Sequence, residues 1–83
     1  MRITVKYVAA LRDRMGRPEE TVDLPGDIAD SEALIAHLRE SDAAAEVLTH
    51  PSVRLIRNDA IVPRPAPLAS GDTLAFCPPF TGG

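Results

Sequence analysis

Eight prolines, at positions 18, 25, 51, 63, 65, 67, 78 and 79, divide this chain into short pieces. Proline has a fixed φ and no backbone N–H, so it is badly placed inside helices and central strands. These positions therefore mark connections, and every regular element must fit between them. The Pro63-Arg64-Pro65-Ala66-Pro67 run excludes a central strand there, and Pro78-Pro79 stops any pairing that reaches it.

Between these stops the hydrophobic pattern assigns the elements. Ile3, Val5 and Tyr7 alternate with Arg2, Thr4 and Lys6, the period of a half-buried strand from Arg2 to Val8. Ala9 to Met15 holds good helix formers and stops at Gly16, which predicts one or two helical turns with a glycine cap. Glu19 to Leu24 alternates again, with Val22 and Leu24 on one face, and Pro25-Gly26 ends it. The best helix opens at Asp30 or Ser31 and runs to about Glu40, with Leu34, Ile35 and Leu38 forming one apolar stripe. Asp30 and Glu32 near its start and Arg39 near its end suit the helix dipole. Ala43 to Leu48 predicts a further helical stretch. Val53 to Arg57 and Ala60 to Val62 predict two strands, joined by Asn58-Asp59, a pair suited to the positive φ of a tight hairpin. Thr73 to Cys77 is the last strand. The order predicts a two-layer α+β fold, with a mixed sheet of about five strands packed on one main helix. A right-handed crossover through that helix is expected if the strands it joins are parallel.

Composition narrows the function classes. With 83 residues the chain makes one domain, and aromatics at 4% leave the aliphatic residues to fill its core. The single cysteine, Cys77, excludes an intrachain disulfide and a Cys-rich zinc module. A small hydrophobe in an apolar strand is the expectation for it, not a nucleophile. His37 and His50 have no partner at ligand spacing, so no metal site is expected. No apolar run is long enough to span a membrane, and the alternating start is unlike a signal peptide. A cytoplasmic protein is the expectation. A net charge of −3 without a basic stripe makes nucleic acid a poor partner. Lys6 is the sole lysine, and the acidic residues Asp13, Glu19, Glu20 and Asp23 read as a solvated face.

The end of the sequence carries the chemistry. Gly82 and Gly83 have no side chains to pack, but a Gly-Gly carboxylate can thread a channel where a Cβ would collide. The segment 78–83 can reach about 20 Å when extended, and Pro78-Pro79 favours a stiff start. Residues 1–77 are thus expected to form the globular domain and 78–83 a flexible Gly-Gly tail. A carboxylate is a poor electrophile and needs activation, most simply by ATP to an acyl-adenylate. A sulfur nucleophile can then attack, giving a thioester or a thiocarboxylate.

The ending Phe76-Cys77-Pro78-Pro79-Phe80-Thr81-Gly82-Gly83 resembles the tail of the MoaD-type sulfur carriers, the small subunits of molybdopterin synthase, in the MoaD/ThiS family. Val5 to Asp13 is similar to that family's opening, and Leu68 to Phe76 to its Leu-x-x-Gly-Asp-x-hydrophobic-Ala-Phe stretch. Cys77 and Val8 stand where the family often has an aromatic, and Phe80 where valine is commoner.

The resemblance implies a β-grasp, ubiquitin-like fold, in agreement with the element order. It implies a non-catalytic sulfur-donating subunit that binds no cofactor itself, with ATP used by an E1-like adenylyltransferase. Gly83 would be adenylated and converted to a thiocarboxylate with sulfur from a donor acting through the activating system. Gly82 would help thread the tail into the large catalytic subunit. There the carrier would supply sulfur for the molybdopterin dithiolene, made from cyclic pyranopterin monophosphate. The catalytic lysine is expected on the large subunit, and Lys6 is not a candidate for that role. Tyr7, Arg12, Phe76, Pro78, Pro79, Phe80 and Thr81 are the candidate partner contacts. Tyr7 and Phe76 read equally as core, and Arg12 as a solvated helix residue. A sulfur carrier for thiamine or cysteine synthesis, a ubiquitin-like modifier conjugated through Gly83 and a plain binding module remain as alternatives.

Overall fold

The hydrophobic alternation of the first strand is realised in a five-stranded mixed sheet. The structure is a computed structural model that describes residues 1–78. Strands β1 (Arg2–Tyr7), β2 (Glu19–Asp23), β3 (Arg54–Arg57), β4 (Ala60–Val62) and β5 (Thr73–Cys77) lie in the order β2-β1-β5-β3-β4. Helix α1 (Ala10–Met15) follows β1. Helix α2 (Ser31–Ser41) and a 3-10 helix (Ala43–Thr49) link β2 to β3. β1 and β5 are parallel, while β2 and β3 run antiparallel to them. The strands joined through α2 therefore point the same way, which is the condition attached to the crossover expectation. This is the two-layer α+β arrangement that the element order predicts and the β-grasp, ubiquitin-like fold that the resemblance implies.

One face of the sheet packs on the helices. Ile3, Val5 and Tyr7 from β1 and Leu74 and Phe76 from β5 meet Leu34, Ile35 and Leu38 of α2, all in one buried cluster. Asp30 caps α2, its carboxylate accepting the Ala33 N–H at 2.8 Å. That removes one of the unpaired donors at the helix start. Asp42 caps the 3-10 helix in the same manner, accepting from Ala44 N–H at 2.9 Å. The buried residues of that helix, Ala45 and Leu48, are three apart. Such spacing matches the three residues per turn of a 3-10 helix and explains its tighter winding.

Two polar clusters hold the loops. Arg64, in the proline-rich run, donates to the carbonyls of Leu48 at 2.9 Å, His50 at 3.1 Å and Val53 at 3.0 Å. The same guanidinium forks onto Glu32 at 3.2 and 2.8 Å. One side chain thus ties the start of α2 to the end of the 3-10 helix and the entry to β3. The Arg64 hydrogen bonds hold the Glu32 carboxyl below the usual range, against its partial burial.

Asp72 closes the opposite end of the sheet. It is buried and accepts from Arg57 Nε at 2.8 Å, Asn58 Nδ2 at 2.9 Å and the Ala69 N–H at 2.8 Å. Asn58 and Asp59 adopt φ of 49° and 69°, the left-handed pair that a two-residue hairpin requires. Burial pushes the Asp72 carboxyl up, but the hydrogen bonds from Asn58, Ala69 and Arg57 outweigh it and leave the pKa lowered. A lowered folded-state pKa means this stabilisation is complete above the unfolded carboxyl value of about 3.9. It is lost as pH falls through the folded value. We expect stability to drop as acid is added below about pH 4, and Asp72→Asn to flatten part of that drop. Denaturant melts from pH 6 to 2 check this, and identical slopes for the two proteins would contradict it.

Candidate functional site

The tail leaves the sheet from its central strand. β5 is paired on both sides, with Tyr7 opposite Phe76 on β1 and Arg54 opposite Cys77 on β3. The Val8 N–H donates to the Phe76 carbonyl at 3.1 Å, extending the β1 pairing to the last turn of the strand. Strand β5 is thus held along both edges, so the position of Pro78 is fixed by the sheet. Pro79, Phe80, Thr81, Gly82 and Gly83 lie outside the described residues.

Tyr7 and Phe76, candidate partner contacts, are core residues in this fold. Tyr7 is 3% exposed and Phe76 0%, with ring centroids 6.4 Å apart and nearly parallel planes. A side chain so covered offers no surface to a partner, which corrects the contact reading for both. The Tyr7 hydroxyl donates to Glu20 at 2.7 Å, and Arg17 bridges Glu20 at 2.6 Å and Asp42 at 3.1 Å. The Arg17 guanidinium also sits 5.7 Å from the centre of the Tyr7 ring. Burial, then the hydrogen bond to Glu20, push the Tyr7 phenol well above its ordinary range. Glu20 is therefore a half-buried acceptor in this network, not a member of a solvated face.

What flanks the exit is a different set. Alternation that buries Tyr7 turns Val8 outward, where it is 42% exposed. On the outward face of the sheet Ile56 lies opposite both Ala75 and Ile61, and Ile61 is 71% exposed. Ala75, Ile56 and Ile61 thus form an apolar row on this face, with Lys6 opposite Ala75 on β1 and Val8 two residues further along that chain segment. Pairing parity was the sequence signal for it, since Ile61 belongs to the face opposite Leu55 and Phe76. Cys77 shares the outward parity but is 8% exposed, and burial raises its thiol pKa. That environment disfavours the thiolate and fits a small hydrophobe.

Beside the exit an open groove of about 720 Å³ runs between α1, the end of the 3-10 helix and the entry to β3. Pro78 lines it together with Leu11, Val47 and Val53. Arg12 is exposed on α1, where it is available to a partner. Ala9 turns the chain from β1 into α1 with φ of 53°. This positive-φ conformation, with ψ of −123°, strains a residue with a Cβ, at a cost of roughly 1–3 kcal/mol. The burial of Leu11 and Met15 holds α1 in place over it.

Among the described residues no group of three or more His, Cys, Asp or Glu is placed to hold a metal ion. No described helix is long and apolar enough to cross a membrane. The polar residues that line the groove beside the exit are Arg14, Glu46, Thr49 and His50.

Comparisons with known proteins agree with this geometry. Residues 5–83 match the ThiS family. The molybdopterin synthase sulfur carrier subunit of Haemophilus influenzae is 30% identical over 98% of this chain and 99% of its own length. The crystal structure of SAMP1 from Haloferax volcanii superposes with a TM-score of 0.81 at 26% identity, covering 100% of both chains. A chain of the complex of subunits 1 and 2 of the molybdopterin-converting factor from Helicobacter pylori shares the fold with a TM-score of 0.66. It is 21% identical, again over 100% of each chain. With a family match that runs from Val5 through Gly83 and a full-length relative among sulfur carriers, this chain belongs to the ThiS family of small β-grasp proteins.

Proposed function

We propose that this protein is a ubiquitin-like carrier whose working group is the Gly83 carboxylate. The observation that carries the reading is the family match, which extends through Gly82 and Gly83. In this reading an E1-like partner uses ATP to adenylate Gly83, releasing pyrophosphate. A nucleophile then displaces AMP from the acyl-adenylate. A sulfur nucleophile leads towards a thiocarboxylate, and a lysine amine gives an isopeptide bond.

Both outcomes have support. The Haemophilus influenzae relative is a sulfur carrier subunit of molybdopterin synthase. That favours sulfur donation to the molybdopterin dithiolene, with a large catalytic subunit as partner. The Helicobacter pylori assembly of subunits 1 and 2 is a pattern for that partnership. The likeness to the Haloferax volcanii proteins described as SAMP1 and small archaeal modifier protein 1 favours the wider reading, in which Gly83 is joined to other proteins. We give the wider carrier-or-modifier reading precedence, because the likeness to SAMP1 covers both chains in full at the higher TM-score.

The outward row of Ala75, Ile56 and Ile61 is the surface we assign to the partner, together with Val8, Arg12 and the tail residues Pro78 to Thr81. Apolar residues in such a strip supply the buried centre that interfaces require. A single pair of assays separates the outcomes. The activated chain, mixed with a large subunit and cyclic pyranopterin monophosphate, yields molybdopterin if it is that carrier. Expression with a tagged amino terminus yields high-mass conjugates, lost on deleting Gly83, if it is a modifier. Neither product from a chain shown to be adenylated would overturn both.

A further inference from the structure

The groove beside Pro78 brings an apolar wall and a set of hydrogen-bond donors together. Leu11, Val47, Val53 and Pro78 supply the wall. Arg14 lines the groove from the exposed side of α1 and has no ion pair among the described residues. His50 lines it too. Its Nδ1 accepts the Ser52 N–H at 3.1 Å, so the proton of the neutral ring sits on Nε2. The one carboxylate in the lining, Glu46, is engaged by Arg39 at 2.6 Å. The Thr49 hydroxyl donates to the Glu46 carbonyl at 2.7 Å. We propose that the groove docks an acidic-apolar segment of the partner that receives this chain. An apolar side chain of that segment packs against Val47 and Val53, and a neighbouring aspartate or glutamate meets Arg14 and His50.

Charge complementarity commits the groove to that occupant. The chain has a net charge of −3, so its overall field draws basic partners. An uncompensated guanidinium in an apolar lining selects the opposite sign locally. A basic segment would set a like charge against Arg14, and a purely apolar one would cover the guanidinium with nothing to pair it. The volume of about 720 Å³ lies within the range of about 300–1,000 Å³ for ligand clefts. The groove is open and crosses α1, the 3-10 helix and the entry to β3, a shape that fits an extended chain better than a small molecule. Its position agrees as well. Pro78 belongs to the lining, and Arg54, next to Val53, pairs with Cys77, so the groove adjoins the end of β5. That the occupant is the receiving partner rests on the carrier-or-modifier reading, whereas the chemistry of the groove does not.

The probe is the peptide acetyl-Ser-Leu-Glu-Leu-Ser-amide, titrated into the full chain and followed by methyl-resolved NMR. The Leu11, Val47 and Val53 methyls are expected to move, and the Ile61 methyls, on the outward face, to stay. The counterpart with glutamine in place of glutamate should bind about threefold more weakly, the effect of one partly exposed ion pair. Arg14→Gln should erase that difference, and because Arg14 is exposed the variant keeps the fold. Unmoved groove methyls, or equal binding of the two peptides, would overturn the proposal. So would 4-phenylbutyrate binding as tightly as the acidic peptide, which would make the groove a small-molecule site. Groove signals that change on dilution without peptide would assign it to a second copy and also overturn it. No activating enzyme enters this test. Groove methyls that follow the acidic peptide, on a chain whose Gly83 is never activated, would uphold the groove chemistry and count against the carrier reading alone.

Discussion

Phe76→Ala is expected to destabilise the folded chain by about 3–5 kcal/mol, the usual cost of deleting a buried aromatic. Phe76 is the largest of the fully buried side chains, on the central strand between β1 and β3. Its removal opens a cavity that Tyr7, stacked on one side, cannot fill without giving up its hydrogen bond to Glu20. A chain of 83 residues has a total stability of roughly 4–12 kcal/mol at the usual value per residue. At the low end of that range the variant is unfolded at ambient temperature, and across the rest its melting temperature falls steeply, so lost partner binding is expected to follow lost folding. Circular dichroism melts check it. A variant that melts like the parent but binds its partner weakly would return Phe76 to the interface.

Arg64→Ala is expected to cost about 2–4 kcal/mol, from the loss of several charge-assisted hydrogen bonds at once. The carbonyls of Leu48, His50 and Val53 lose the donor they share, and Glu32 loses both contacts of the fork. For a domain of this size that is a fall in melting temperature of roughly 10–25 °C. Arg64→Lys keeps the charge but has no planar fork, so it should recover less than half of the loss. Thermal and urea unfolding of the three proteins measure this. A change within about 0.5 kcal/mol for Arg64→Ala, the level of an ordinary surface substitution, would show that the clasp contributes little.

These two residues mark how far the sequence could be read. The strands were legible because prolines bounded them and period-two alternation filled them. β4 and β5 fall at the expected residues, and the Asn58-Asp59 hairpin follows from side chains that tolerate positive φ. The same alternation placed Ile3, Val5 and Tyr7 on one face, so the burial of Tyr7 was implied by its own strand. Aromatic chemistry suggested an interface instead, and packing decided otherwise. The outward strip was harder to see, because Ile56 and Ile61 become neighbours of Ala75 only once β3 pairs with β5. Arg64 was not legible at all. Its partners are backbone carbonyls 11 to 16 residues away and a glutamate 32 residues away, brought together by the tertiary fold alone. Glu20 was misread for a related reason, since its inward turn depends on Arg17 and Tyr7 meeting it. The groove beside Pro78 likewise exists only after α1 and the 3-10 helix pack side by side.

The central claim is that Gly83 is the group on which this protein acts, and the intact mass of the chain tests it most directly. After incubation with ATP, an E1-like activating enzyme and a sulfur donor, the mass should rise by the exchange of one oxygen for sulfur. Deleting Gly83 should abolish that rise while leaving the melting temperature unchanged, since the core ends at β5. If the donor is omitted and a protein amine is supplied, the activated chain should appear as an adduct joined through the same residue. An unchanged mass under both conditions, with the enzyme proven active on another carrier, would contradict the claim that Gly83 is activated at all.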